Sequence, residues 1–204
     1  MPDRSSILGD YYYREAKRHG YRSRSALKLL EISDKFRIFR RGDVVVDLGS
    51  APGGWLQVAR QLAGDDGLVI GVDLAEIDPL PHENVILLRG DAGSPQLQDE
   101  LVKLTGAAAD VVTSDMAPKF TGIHDLDHGR QIALANVALE VAKMVLRPGG
   151  KMVLKVLMGA DFEAFRKDVQ RLFANVRVYK PNASRDSSSE VYFVCTRFSG
   201  PSGD

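Results

Sequence analysis

Four stretches of this chain read as strands, the first of them fully buried, and each closes on or beside an aspartate. They are Asp43-Val44-Val45-Val46-Asp47-Leu48, Leu68 to Val72 before Asp73, Asn84 to Leu88 before Asp91, and Ala109 to Thr113 before Asp115. Near-continuous apolar runs of this length belong to strands covered on both faces. Helix-length segments separate them: Trp55 to Ala63, Pro95 to Leu104, and Asp127 to Leu146 with Val137, Val141, Met144 and Val145 as its apolar stripe. Pro148-Gly149-Gly150 stops that last helix. A fifth strand (Lys151 to Leu157), a helix (Ala160 to Phe173), and strands at Val176 to Tyr179 and Glu190 to Thr196 complete the pattern. Such alternation requires right-handed crossovers, a mostly parallel sheet and helices on both faces. Only about ten residues join the last two strands, too few for a helical crossover, so the final strand is predicted antiparallel.

Ligands of such sheets bind beyond the carboxyl ends of the strands. Asp47, Asp73, Asp91 and Asp115 therefore form an acidic rim at that edge, and buried carboxylates are too costly to gather there without a purpose. The first loop, Asp47-Leu48-Gly49-Ser50-Ala51-Pro52-Gly53-Gly54-Trp55, is not G-x-G-x-x-G. It also has Trp55-Leu56 where a phosphate loop needs Lys-Ser/Thr. Its small glycines let backbone come close to a ligand. A glycine turn with acids on four strands suits a ligand that carries a ribose, an adenine and a positive charge, which describes S-adenosylmethionine. Asp73 is placed to accept ribose hydroxyls and Asp91 to accept from the adenine amino group. A tight turn without a ligand is the plain alternative.

The segments Asp47 to Trp55, Ser114-Asp115-Met116-Ala117-Pro118, Leu154-Lys155-Val156 and Ser189-Glu190-Val191-Tyr192 together resemble the FtsJ (RrmJ) family of ribose 2′-O-methyltransferases. Arg22-Ser23-Arg24-Ser25-Ala26-Leu27-Lys28-Leu29 resembles that family's N-terminal helix start, and the likeness runs from about Tyr12 to Arg197. It implies a Rossmann-like class I methyltransferase fold with a seven-stranded sheet. It implies that Gly53, Trp55, Asp73, Asp91 and Asp115 bind S-adenosyl-L-methionine, and that Lys28, Asp115, Lys155 and Glu190 form a catalytic tetrad. The substrate it implies is a uridine ribose in the A-loop of large-subunit rRNA, free or within the subunit. Two other readings stand beside it: tRNA ribose methylation, and a non-catalytic RNA-binding module on the same fold. The short chain, with no extension after the last strand, is expected to favour the ribosomal form.

The residues themselves bear on that chemistry. A ribose 2′-hydroxyl is a weak nucleophile until its proton leaves, so in-line positioning and a proton acceptor or polariser should carry catalysis. Lys155 lies inside an apolar strand, where a lysine is unexpected. Either its head snorkels out at the strand end, or it works on the hydroxyl. A neutral amine at pH 7 requires about 4 kcal/mol against the charged form, which burial and a second ammonium can supply. Asp115 alone also fits an Asx-turn before Ala117-Pro118, and Trp55 alone fits a core aromatic.

Charge is balanced overall, 27 basic against 27 acidic side chains, but residues 1–41 carry a net charge of about +6. We read 1–41 as a basic helical segment packed on a methyltransferase domain at 42–198, with a disordered tail at 199–204. The first helix is expected over Asp10 to His19, and the second from a Ser23 or Ser25 cap to about Lys35, with Ala26, Leu27, Leu30 and Leu29 on its buried side. The basic segment, with Tyr11, Tyr12, Tyr13 and Tyr21, could grip a phosphate backbone or form a solvated face. Arg22, Arg24 and Lys28 would start the RNA path, and Arg166, Lys167, Arg171, Lys180 and Arg185 would extend it. A single Cys, Cys195, excludes an intrachain disulfide and a Cys-rich zinc site. His124 and His128 lie in a predicted loop without a third ligand, so no metal is expected. His19 and His82 read as surface residues. No apolar stretch reaches the ~18 residues of a membrane span, and the N-terminus lacks a secretory signal. A cytoplasmic, monomeric enzyme is expected.

Overall fold

The computed structural model describes residues 4–185 and 188–200. Helices α1 (Arg4–Arg18) and α2 (Ser25–Phe36) precede the sheet. Its strands are β1 (Val44–Leu48), β2 (Leu68–Asp73), β3 (Val85–Arg89), β4 (Ala109–Ser114), β5 (Leu146–Leu157), β6 (Phe173–Tyr179) and β7 (Glu190–Phe198). The crossover helices are α3 (Gly54–Ala63), α4 (Pro95–Thr105), α5 (His124–Val145) and α6 (Phe162–Gln170). Strand order is β3-β2-β1-β4-β5-β7-β6. The first five strands run parallel, and β7 lies antiparallel between β5 and β6. This is the doubly wound sheet with an antiparallel last strand that the alternation predicts.

Strand periodicity divides the core into two layers. Val46, Ile70, Val112, Leu154 and Phe193 face α4, α5 and α6. Their neighbours Val45, Val69, Val111, Val153 and Tyr192 face α2 and α3, where Ala26, Leu29, Ile32, Trp55 and Leu56 pack. The expected segment 1–41 thus contributes α2 to the core. The stripe on α2 differs in part from expectation: Ala26 and Leu29 are fully buried as expected and Ile32 joins them, while Leu27 and Leu30 are only half-buried. Lys28 is buried beside that stripe, and its charge disguises the pattern. Arg24, without a side-chain cap, stands where a serine cap was expected.

Three boundaries also move. Helix α1 begins earlier, at Arg4. Strand β5 begins at Leu146, because Leu146 pairs with Ala109 before the register shifts to Lys151 opposite Val111. Pro148-Gly149-Gly150 is therefore a bulge inside a strand rather than a break before one. Helix α6 ends at Gln170, and Phe173 begins β6 by pairing with Phe198. Among the described residues no helix is long and apolar enough to cross a membrane. Residues 201–204 of the expected tail lie outside the described residues.

Candidate active site

The sheet order reverses between β1 and β4: α3 leads from β1 to β2 on one side, and α5 leads from β4 to β5 on the other. Diverging connections leave a crevice at the carboxyl ends of those two strands. There Asp115 N–H donates to the Leu48 carbonyl (3.1 Å), and the loops after β1 and β4 meet. A cavity of about 300 Å³ opens at this point, lined by Gly49, Asp73, Asp91 and Asp115 with Val72, Leu74, Met116, Leu134 and Val137 among its walls. Gly49 (φ +76°) allows the approach of the two loops, because a Cβ there would lie 2.8 Å from Met116 N. Asp73 is held by the amides of Ala51 (2.9 Å) and Ala75 (2.8 Å), and Asp91 by Gly93 (2.8 Å). Apolar walls for a flat ring and three carboxylates for hydroxyl, amino or cationic groups fit a ribose–adenine–sulfonium ligand.

Gly53 and Trp55 do not line that cavity. Gly53 (φ +107°) caps α3 and faces Arg22. Trp55 is buried, donates its indole N–H to the Ser25 carbonyl (2.9 Å) and lies 5.7 Å from the Tyr192 ring. The space beside Gly53 and Gly54 is filled by Arg22 and Ser23. These two glycines admit the N-terminal segment, which the loop alone did not reveal. Asp47 is fully buried; its Oδ1 accepts from Thr113 Oγ1 (2.7 Å) and its Oδ2 has no hydrogen-bond partner. Burial pushes its carboxyl up to about 7, assisted by the nearby charges of Asp115 and Asp73 and opposed by Thr113 and Ser50.

The four proposed catalytic side chains come from four separate elements and meet. Lys155 and Tyr192 are directly paired across β5 and β7, as are Leu157 and Glu190. Directly opposed residues share a face, and so do residues two apart. Lys155, Tyr192 and Glu190 therefore face α2, which supplies Lys28. Lys155 Nζ donates to the Asp115 carbonyl (2.5 Å) and lies 3.2 Å from Asp115 Oδ1. Lys28 Nζ lies 2.5 Å from Glu190 Oε1. Both lysines are buried, at 6% and 7% exposure, so neither charge is left to solvent. Burial pushes the Glu190 carboxyl up, but the Lys28 charge and hydrogen bond, with Lys155 and Tyr192, hold it below its usual value.

Tyr192 links the two pairs. Its hydroxyl lies 3.0 Å from Asp115 Oδ1, 3.2 Å from Glu190 Oε1 and 3.5 Å from Lys28 Nζ. Burial and the two carboxylates raise its pKa well above the usual value, so it remains a neutral phenol. Gln131 is a second residue that sequence reasoning did not reach. Its Nε2 donates to the carbonyls of Met116 and Lys155, both at 3.1 Å. A glutamine at the head of the Ala135, Ala138, Ala142 stripe was the available clue.

On the far side of the lysines lies a larger, more polar cavity of about 470 Å³, lined by Arg24, Lys28, Phe120, Lys155, Arg185 and Glu190 among others. Of the expected RNA path, Arg24, Lys28 and Arg185 reach it. Arg22 does not: its guanidinium donates to the carbonyls of Pro52 (3.3 Å), Asp78 (2.5 Å) and Pro79 (2.8 Å). Arg166 and Arg171 pair with Glu163 and Asp168 along α6, which packs on the sheet face opposite α2. Lys180 donates to the Ser188 carbonyl (2.8 Å).

His128 and Cys195 are structural, while His19, His82 and His124 are exposed. His128 lies on α5, not in a loop, and is buried: its Nε2 accepts from Asp161 N–H (3.0 Å), leaving Nδ1 to donate to the Leu157 carbonyl (3.1 Å). No group of three or more metal-ligating side chains occurs among the described residues. Cys195 is buried, and burial pushes its thiol up.

A sheet of this order, with β7 inserted antiparallel and a glycine loop and acidic strand ends at its switch point, is that of a methyltransferase. The chain belongs to the FtsJ-like methyltransferase family, whose model matches residues 21–198. It is 50% identical to "Ribosomal RNA large subunit methyltransferase E" of Methanothrix thermoacetophila over 91% of this chain and 71% of that protein. The crystal structure of a ribosomal RNA methyltransferase from Plasmodium falciparum superposes with a TM-score of 0.77 at 26% identity, covering 88% of this chain and all of that one. Fibrillarin of Aeropyrum pernix, solved with natively bound S-adenosyl-L-methionine, shares the fold at a TM-score of 0.56 and 18% identity over 76% of this chain and 67% of that one.

Proposed function

We propose that this methyltransferase uses S-adenosyl-L-methionine to methylate a ribose 2′-hydroxyl of large-subunit ribosomal RNA, with a uridine of the A-loop as the target. The observation that carries the reading is the position of the tetrad. Asp115 belongs to the wall of the acidic, apolar-sided cavity, while Lys28, Lys155 and Glu190 belong to the wall of the basic one. The first fits the methyl donor and the second fits a nucleotide, and the reacting groups would meet where the cavities share the tetrad. The large-subunit rRNA methyltransferase named above, half identical to this chain, supports the substrate class. The basic segment 1–41 supplies Arg24 and Lys28 to the RNA side of one catalytic domain, and the uneven charge suits a cytoplasmic monomer on RNA.

When bound, S-adenosyl-L-methionine supplies a sulfonium methyl that needs little activation. The protein's task is the hydroxyl. Asp73 and Asp91 would hold the donor's ribose and adenine, and Asp115 would border its cationic centre. Asp115 fixes Lys155 through both its carbonyl and its carboxylate. Lys155 meets the 2′-hydroxyl: as an amine it receives the proton, and as an ammonium it fixes the oxygen with its remaining N–H while the proton passes to water. Lys28 and Glu190, paired directly and joined to Asp115 through Tyr192, complete the ribose side. Such positioning and proton handling is worth roughly 10²- to 10⁴-fold. The test is methyl transfer from tritiated donor to rRNA, intact large subunits and tRNA, with Lys155→Met beside the native chain. The expected result is transfer to rRNA or subunits, lost at least 100-fold in the variant while donor affinity is kept. Transfer to tRNA alone, or a Lys155→Met variant with near-native turnover, overturns the reading.

A further inference from the structure

The basic cavity has one wall that phosphate recognition does not explain. Phe120 lines it among Arg24, Lys28, Lys155 and Arg185, yet 61% of Phe120 is exposed. A scattered exposed apolar side chain needs no explanation. This one stands on a built turn beside two buried lysines. Asp127, the buried carboxylate in the first turn of α5, ties down the turn that follows Phe120. Its Oδ1 accepts from the amide and hydroxyl of Thr121 (both 2.8 Å), and its Oδ2 accepts from the amide of Gly122 (3.0 Å). The Thr121 amide, outweighing burial, and the other bonds hold the Asp127 carboxyl below its usual value. Thr121 Oγ1 in turn accepts from Ile123 N–H (3.2 Å). The fixed turn thus presents an aromatic side chain that contributes little to the core.

We infer that Phe120 is the stacking platform for the base of the nucleotide being methylated, or of its immediate neighbour in the strand. This rests on the RNA-methyltransferase reading above. The chemistry favours a nucleobase over other occupants. Arg24 and Arg185 supply guanidinium groups suited to flanking phosphates, Lys28, Lys155 and Glu190 supply the polar groups a ribose needs, and a base between them needs an apolar flat surface. Every base has a π-face, so such a platform fixes the depth of the nucleotide without selecting its sequence. A base held by Phe120 limits rotation of the attached ribose and so contributes to orienting the 2′-hydroxyl toward Lys155.

The test compares Phe120→Ala, Phe120→Leu and Phe120→Trp with the native chain, using an rRNA transcript and assembled large subunits. KM for RNA, kcat, donor affinity and Tm are measured for each. Ile123→Ala serves as control, because Ile123 is equally exposed at 62% but does not line the cavity. The expected result is a rise of about tenfold or more in KM for RNA with Phe120→Ala, the usual scale for one lost base stack. Phe120→Trp restores it and Phe120→Leu does not, while Tm and donor affinity stay unchanged and Ile123→Ala behaves as native. Phe120→Ala within twofold of native in KM and kcat, or Phe120→Leu as good as Phe120→Trp, or an equal loss with Ile123→Ala, overturns the inference. A native chain that transfers no methyl group to RNA removes the functional reading and this inference together, so the two failures are told apart by the native control.

Discussion

The Arg22 guanidinium occupies the space that a side chain at residue 53 would need: a Cβ on Gly53 would lie 2.6 Å from Arg22 Nη1. The same guanidinium holds the carbonyls of Pro52, Asp78 and Pro79, so it joins the first loop to the segment after β2. Gly53→Ala must adopt φ +107° and displace that clamp. It is expected to cost about 2 kcal/mol or more in urea denaturation. Because Arg22→Ala breaks the same clamp, the double variant should cost clearly less than the two singles combined. Additivity within about 0.5 kcal/mol would show that the two residues are independent.

Tyr192→Phe removes the one hydroxyl that reaches both carboxylates of the tetrad. A buried network that loses a member costs about 1–3 kcal/mol. Asp115 also loses a tether, so kcat should fall about tenfold with donor affinity retained. Native kcat in a destabilised variant would reduce Tyr192 to a packing role.

Glu190 carries a pH signature. Its carboxyl lies below the ordinary 4.5 in the folded chain, so its contribution to stability is present above pH 4.5 and is lost as pH falls through the lower folded value. Glu190→Gln leaves the buried Lys28 ammonium without its anion and should cost about 3 kcal/mol at pH 7. The gap between native and variant Tm should close as pH is lowered below 4.5. A gap that stays constant down to pH 3 would mean the ion pair contributes nothing.

Asp47 has the opposite sign. Its carboxyl is raised from 3.8 to about 7, so the folded chain holds the proton more tightly than the unfolded one. That contribution is full below pH 3.8 and is lost as pH rises through about 7. Asp47→Asn removes the titration, and its stability relative to native should improve by roughly 2 to 3 kcal/mol between pH 5 and pH 8. Chemical denaturation at the two pH values measures it, and an unchanged difference would place the Asp47 charge elsewhere.

Much of the fold was legible because strand and helix periods differ and because buried parallel strands are apolar throughout. What misled the reading was local. Lys28 inside the buried face of α2 shifted the apparent stripe by one position, since a charged residue scores as exposed until its partner, 162 positions away, is known. Pro148-Gly149-Gly150 has the composition of a break, and only the Ala109–Leu146 pairing makes it a bulge. Within the site, Lys155, Asp115 and the acidic strand ends stand out from their neighbours in sequence. Tyr192 does not, because a tyrosine in a β-strand is ordinary and its role comes from cross-strand register. Arg22 looked like a phosphate ligand because an arginine's charge is visible in sequence and its carbonyl partners are not.

The two cavities also draw on different stretches of the chain. Every residue lining the donor-side cavity lies between Gly49 and Val137, whereas Lys155, Arg185 and Glu190 follow later. A nascent polypeptide that has left the exit tunnel only as far as the end of α5 holds all the pieces of the donor pocket and lacks half of its tetrad. The tetrad is complete only where β7 stands between β5 and β6, so a change confined to the C-terminal strands can dismantle the reacting groups while every wall of the donor-side cavity keeps its residue.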